Sequence, residues 1–533
     1  MHSRRSFLKS GLVAATAAPA LAAARVYEAP QASAAVPPFE FEEATIADLQ
    51  AAMVSGQLTA KSLTEKYLAR IEAVDKSGPT VNSVIEVNPD AVSIAEQLDA
   101  ERKSKGTRGP MHGIPVLIKD NIDTHDNMQT TAGSLALVGS KPVKDSFVAQ
   151  QLRKSGAIIL GKTNLSEWAN MRSSHSVSGW SGRGGLTRNP YALDRNACGS
   201  SSGSGAAAAA NFCTVAVGTE TDGSVVCPSS LCGLVGIKPT LGLISRSGIV
   251  PIAHSQDTAG PMARTVSDAA VLLSALAGAD PSDKATVDKS ISDYTKFLDP
   301  HGLKGARIGV ARKYFGFNDL VDNLMEEALK EMKRQGAEII DPADLPTHGK
   351  FGDTEFAVLL YELKADMNAY LATRPDAEVK TLKDLIDFNV RNAAKEMPYF
   401  GQDEFIKAQA KGPLTEKEYV DALAANHRLS RKEGIDAIMD KHRLDAIVAP
   451  TAGPAWLTDL VNGDHVGGGS SDAAAVAGYP DITVPAGMLS GLPVGISFFG
   501  RAWSEPTLLK IAYGFEQATK ARKPPKFVAD SRS

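Results

Sequence analysis

Cysteine is scarce in this chain: four residues in 533, at Cys198, Cys213, Cys227 and Cys232. Four are too few to staple a fold of this length. No CxxC pair occurs and no histidine–cysteine grouping has metal-ligand spacing, so no metal site is expected. Unpaired cysteine is among the most buried residue types, and all four are expected as small core residues. Charge is also sparse and balanced, with 22% charged residues and a formal net charge of -4. No basic patch lies beyond the N-terminus, which excludes the electrostatic footprint of a nucleic-acid partner. Nor is the chain polar enough to remain disordered. It has no apolar run long enough to span a bilayer and no repeat at solenoid spacing. What it does have is a 43% hydrophobic composition over 533 residues, enough for a large core.

The N-terminus reads as an export signal. Ser3-Arg4-Arg5-Ser6-Phe7-Leu8-Lys9 precedes a short, mildly apolar stretch over 11–24, with A-x-A sites at Ala22-Ala23-Ala24 and Ala32-Ser33-Ala34. The paired arginines point to the twin-arginine route, with that export machinery as a partner. Residues 1–34 are therefore expected to be signal and leader. The mature protein is expected to be periplasmic or secreted, without a stable membrane anchor.

Beyond the leader, Thr45 with Asp48 three residues on suits a helix cap. Leu63, Tyr67, Leu68, Ile71 and Val74 recur at helical spacing over 60–75, and a third helix follows Pro89 and ends near Gly106. Short apolar runs at 114–118, 157–160, 214–217, 306–310, 338–340, 445–448, 482–484 and 494–499 read as buried strands. Helical patterns at 266–277, 320–335 and 505–519 lie between them. This alternation predicts an α/β fold, a large mixed, twisted sheet covered by helices. Residues from about 350 to 435 are charged and helical, without a strand candidate, and read as a peripheral layer or lid.

Three features between 110 and 240 carry chemistry. Lys119 ends the otherwise apolar strand Pro115-Val116-Leu117-Ile118. Alone, it reads as a strand-end lysine whose stem snorkels to water. The second feature is Gly199-Ser200-Ser201-Ser202-Gly203-Ser204-Gly205, which runs into five alanines. It sits between buried elements and flows into a helix, so it is not a linker; no Lys-Ser/Thr follows, so it is not a phosphate loop. The third is Gly218-Thr219-Glu220-Thr221-Asp222-Gly223-Ser224, a turn directly after a strand. Such a turn can aim backbone N–H groups at one point, as an oxyanion hole requires. A serine nucleophile needs a base, and a lysine serves if burial keeps it neutral. A second hydroxyl between Lys119 and Ser224 would relay the proton both ways.

These residues resemble the amidase signature family of serine hydrolases. The likeness rests on residues 198–205 and 218–224, on two candidate serines 24 positions apart, and on the upstream strand-end lysine. Lys238-Pro239-Thr240, the run Gln256-Asp257-Thr258-Ala259-Gly260-Pro261-Met262 and Gly491-Leu492-Pro493-Val494-Gly495 also fit. Within the family, GKTNLSEWAN at 161–170 and GTETDGSVVCP at 218–228 are similar to bacterial peptide amidases. The resemblance covers residues 39–528 as one amidase domain, with its signature core at about 110–270. It implies Ser224 as nucleophile, Ser200 as the bridging serine on a cis peptide and Lys119 as the base. It also implies an oxyanion hole from the backbone N–H groups of Thr221, Asp222, Gly223 and Ser224, with Ala169 and Lys162 near the acyl pocket. The implied reaction cleaves a carboxamide to carboxylate and ammonia through an acyl-enzyme, without cofactor, on C-terminal peptide amides or on aliphatic or aryl amides. The chain departs from the pattern at Val226, where many members carry arginine. Rival readings remain: Gly199-Ser200-Ser201-Ser202-Gly203 also fits GxSxG, which would make Ser201 an esterase nucleophile, and a periplasmic binding protein could use Lys119 as a ligand clamp.

Overall fold

The computed structural model describes residues 36–531; the expected signal lies outside them. Thirteen strands occur in chain order: β1 (Val84–Val87), β2 (Pro115–Lys119), β3 (Ile158–Thr163), β4 (Trp180–Ser181), β5 (Gly185–Leu186), β6 (Val215–Glu220), β7 (Val235–Lys238), β8 (Thr258–Ala263), β9 (Arg307–Val310), β10 (Glu338–Ile340), β11 (Ala446–Pro450), β12 (Asp481–Leu489) and β13 (Leu492–Phe499). Eleven of them form one mixed sheet in the order β1-β3-β2-β6-β8-β7-β12-β13-β11-β9-β10, while β4 and β5 pair as a small hairpin. The α/β reading holds, and every strand expected from an apolar run is present.

Two central strands that patterning missed have identifiable causes. β7 reads Val-Gly-Ile-Lys and β8 reads Thr-Ala-Gly-Pro-Met-Ala, so glycine, proline and lysine mask the apolar signal. Both are nevertheless fully buried, because antiparallel neighbours pair with them on the sheet interior. Local signals elsewhere were obeyed. Thr45 accepts from the Asp48 N–H at 3.1 Å, and Asp48 in turn accepts from the Thr45 N–H at 3.0 Å, capping the helix Ile46–Val54. The helix Ala60–Arg70 buries Leu63 and Tyr67, and its apolar stripe continues through a wider turn over Ile71–Lys76.

The alanine-rich helix Ser202–Ala209 is buried along its whole length. Small side chains are required there: a Cβ on Gly203 would come within 2.3 Å of the Asn164 carbonyl oxygen. This close approach seats the Gly/Ser segment against the ends of β3 and β6. The helices Gly352–Ala372, Leu382–Arg391, Asp403–Gln409 and Lys417–His427 fill the expected strand-free region. Leu360, Leu363, Met367 and Phe405 from this layer share an apolar cluster with Ala132, Trp168 and Ile252 of the core. No described helix is long and apolar enough to cross a membrane.

Candidate active site

Lys119 is fully buried at the end of β2, between β3 and β6. The solvated strand-end reading is thereby removed. Its Nζ lies 2.8 Å from Ser200 Oγ, 2.9 Å from Thr219 Oγ1 and 3.3 Å from the Thr219 carbonyl oxygen. Asn121 Nδ2 donates to the same Thr219 hydroxyl oxygen at 3.0 Å. A neutral amine has two N–H donors and one lone pair. Two donors satisfy the two Thr219 oxygens, and the lone pair is left for the Ser200 hydroxyl. Burial pushes the Lys119 amine down to about 7, against the opposing pull of Asp257 and Glu220.

The Gly199–Ser200 peptide is cis. Of the serines that follow, three are structural pegs. Ser201 Oγ donates to the Thr219 carbonyl at 3.0 Å and accepts from the Thr219 N–H at 3.1 Å. Ser202 Oγ donates to the Cys198 carbonyl, and Ser204 Oγ donates to the Val217 carbonyl at 3.0 Å. Only Ser200 in this run meets the lysine amine. With its hydroxyl engaged on both sides by Thr219 and with no histidine bonded to it, Ser201 is unsuited to be an esterase nucleophile.

Glu220 shapes the turn after β6. Its buried carboxylate accepts the N–H groups of Gly223, Val225 and Val226 at 3.0, 2.6 and 2.9 Å. Burial raises this carboxyl and the charge of Lys238 opposes the rise. Gly223 takes a positive φ of 76°, a conformation that suits glycine. Ser224 is 7% exposed, and its carbonyl accepts from the Ser201 N–H at 3.2 Å, so the two serine segments are directly joined. Among the described residues Ser224 Oγ has no hydrogen-bond partner; the Ser200–Ser224 relay is not closed in this arrangement. Thr221 is held by its hydroxyl donating to Asp257 Oδ1 at 2.6 Å, and Asp257 also accepts from Ile252 and Ala253 N–H. Burial lifts the Asp257 carboxyl to about 6.

A cavity of about 220 Å³ opens over these segments, lined by Ser178, Gly199, Asp222, Gly223, Thr451 and Asp464 among others. A Ser200 hydroxyl bonded to a buried amine, joined to a turn that carries Ser224 and borders a cavity, suits nucleophilic acyl transfer.

A family model described as Amidase matches residues 62–509. The chain belongs to the amidase family. A solved structure of native peptide amidase from Stenotrophomonas maltophilia is similar at 50% identity and a TM-score of 0.88, covering 92% of this chain and 100% of that one. A probable amidase of Arabidopsis thaliana is 44% identical, covering 92% of this chain and 93% of the relative. The structure of an amidase family protein from Bacillus anthracis is similar at 38% identity and a TM-score of 0.82, covering 91% of this chain and 92% of that one. This amidase is an amide-hydrolysing enzyme.

The amidase's structure corrects four expectations. Cys198 and Cys227 are not separate core thiols but a disulfide; Cys213 and Cys232 are the free, buried pair. The Gly223 N–H points at Glu220, which leaves Thr221, Asp222 and Ser224 of the expected oxyanion donors. Lys162 is fully buried, its amine donating to the Ile122 carbonyl at 2.5 Å and to Thr130 Oγ1 at 2.8 Å, away from the cavity. Ala169 lies in a small separate crevice with Asn121, Trp168 and Ile252. At Val226 the missing arginine is understandable: its N–H joins the Glu220 carboxylate, and its side chain is buried against the cavity wall. Motif spacing alone gives Thr219, Glu220 and Asp257 no roles. A carboxylate three residues before a glycine turn was the signal for Glu220.

Proposed function

We propose that this amidase hydrolyses C-terminal peptide amides to the free carboxylate and ammonia through a Ser224 acyl-enzyme. The reading is carried by one observation: a fully buried lysine amine, held down to about 7, bonded to Ser200 at 2.8 Å. Neutral Lys119 takes the Ser200 proton as Ser200 takes the proton of Ser224. The Ser224 oxygen bonds to the amide carbon, and the carbonyl π pair moves to oxygen. Backbone N–H groups of Thr221, Asp222 and Ser224 face that oxyanion. Collapse of the adduct expels the amide nitrogen, which leaves as ammonia after accepting the Ser200 proton, restored in turn from Lys119. Water then attacks the ester by the same relay and regenerates Ser224.

Support for a peptide substrate is the 50% identity over 92% of the chain to peptide amidase, together with an open cavity lined by Gly199 and Gly223, the neighbours of the two serines. Ammonia release from N-blocked peptide amides, aliphatic amides and aryl amides tests the assignment. Turnover confined to the last two classes would overturn the peptide reading and leave the family assignment intact. Labelling by a fluorophosphonate, abolished in Ser224→Ala, tests the nucleophile.

We further propose that the chain is exported by the twin-arginine machinery and works outside the cytoplasm. The Arg4-Arg5 signal pattern supports this, and so does the Cys198–Cys227 disulfide, because cytoplasmic thiols are usually kept reduced.

A further inference from the structure

The strand-free helical layer reaches the catalytic turn through Glu355. Glu355 stands in the first turn of the helix Gly352–Ala372 and is only 8% exposed. Its carboxyl hydrogen-bonds the side chain of Asp222, the residue two before Ser224. Its Oε1 also accepts from Gln256 Nε2 at 3.0 Å, and that same amide nitrogen donates to the Thr221 carbonyl at 3.2 Å. Glu355 therefore grips the turn at two successive residues: Asp222 directly, and Thr221 through Gln256.

Two carboxylates cannot hydrogen-bond one another without a proton between them. The surroundings offer little other compensation, a Ser471 hydrogen bond and the more general pull of Lys238. Asp222 Oδ1 is enclosed and accepts from no N–H or O–H among the described residues. The charged neighbours acting on the pair are Asp472 and Glu220, both acidic. Asp472 itself accepts from the Tyr314 hydroxyl at 2.7 Å, and Ser471 hydrogen-bonds Asp222. Lys238, Asp481 and Tyr314 also sense the charge on Asp222, and Lys238 donates its amine to the Pro239 carbonyl at 3.3 Å.

We propose that Glu355 is a positioning residue for amide hydrolysis: as a neutral acid it hydrogen-bonds Asp222 and, through Gln256, holds Thr221, fixing the backbone N–H groups that face the reacting carbonyl. This rests on the reading of Ser224 as nucleophile. Burial, and then the charge of Asp472, moves Asp222 up to about 7 against the hydrogen bonds from Ser471 and Glu355, and burial, and then the charge of Asp222, moves Glu355 well above its ordinary range. The shared proton is present in neutral solution and is lost as pH rises. Its loss leaves adjacent negative charges on the turn, which then moves out of register with the oxyanion. Activity thus gains an alkaline limb that belongs to the pair, on the opposite side from the acid limb set by Lys119.

The test compares kcat and KM against pH for wild type, Glu355→Gln and Glu355→Ala, with ammonia release from an N-blocked dipeptide amide and, in parallel, an aryl amide. Glutamine mimics the protonated acid: its NH₂ donates to Asp222 and its oxygen accepts from Gln256. Glu355→Gln is expected to keep kcat within about threefold at neutral pH and to lose the alkaline fall, because glutamine has no proton to release. Glu355→Ala is expected to lower kcat about tenfold or more with KM changed far less, as befits lost transition-state donors. A wild-type alkaline limb in Glu355→Gln, or wild-type kcat in Glu355→Ala, would overturn the proposal. Ser224→Ala run alongside separates the two readings: an active Ser224→Ala defeats the nucleophile assignment, whereas an inactive one with an unchanged Glu355→Gln profile defeats only the role of Glu355.

Discussion

Cys198 and Cys227 are joined by a disulfide that brackets both serines, two residues before Ser200 and three after Ser224. The bond ties the start of the Gly/Ser segment to the helix that follows the catalytic turn, while the Ser201 N–H to Ser224 carbonyl bond ties them from inside. The two halves of the proposed relay are thus fixed to each other covalently, not only through the sheet.

Reducing this bond should destabilise the protein. The bridge closes a sequence separation of 29 residues, for which the loop-entropy relation gives about 3–4 kcal/mol. Thermal or urea unfolding of wild type with and without reductant, and of the Cys198→Ser/Cys227→Ser double variant, measures it. Unfolding midpoints that do not move would show that the bond leaves the folded state's stability unaffected.

The acid limb of the pH profile should report Lys119. The amine must be neutral to accept a proton, and burial holds it at about 7. Turnover should therefore fall about tenfold per pH unit well below 7 and level off near it, before the alkaline fall that the Glu355–Asp222 pair adds. Lys119→Ala should lose roughly two to four orders of magnitude in kcat, the span of positioned acid–base catalysis. Lys119→Arg should do the same, because its guanidinium does not deprotonate. A Lys119→Arg variant with substantial activity would remove the lysine from the relay.

The linkage of Lys119 to stability has a definite sign. Between about 7 and its ordinary value near 10.4, the unfolded chain binds a proton on this lysine and the folded chain does not. Its contribution to stability rises with pH through that window. Measured by denaturant titration, the slope of stability against pH over that window should be more positive in wild type than in Lys119→Met, which has no proton to bind. Equal slopes would contradict the buried neutral amine.

Neighbouring serines should separate cleanly by role. Ser200→Ala should abolish most turnover, while Ser201→Ala should chiefly cost stability, about 1–3 kcal/mol for the Thr219 groups left unpaired. If Ser201→Ala proved inactive yet stably folded, the esterase alternative would return.

Glu220→Gln isolates the scaffold of the turn. One carboxylate serves three N–H groups; the amide offers a single oxygen and turns an N–H against the rest. Charged hydrogen bonds of this kind contribute about 1.5–3 kcal/mol each, so both the melting temperature and kcat should fall. Crystal or solution data showing the Gly223 N–H free in wild type would remove the basis for this expectation.

By itself, the sequence determined the class of fold and the chemistry-bearing segments. Apolar runs such as those at β2, β3 and β6 bury on both faces wherever they pair, and the Thr45 cap is a local hydrogen-bond pattern. Local rules suffice for such features because their energetics close within a few residues. Lys119, Ser200 and Ser224 pointed to one site through the likeness of their motifs and spacing to a known family. Tertiary structure decided what those residues can do. Only the seating of β2 between β3 and β6 removes water from Lys119 and lowers its basicity. Only the fold joins Cys198 to Cys227, turns the Gly223 N–H toward Glu220, and brings Glu355 from a helix far along the chain to meet Asp222. Desolvation, covalent pairing and proton sharing depend on what lies within a few ångströms, and no local pattern in the chain records that.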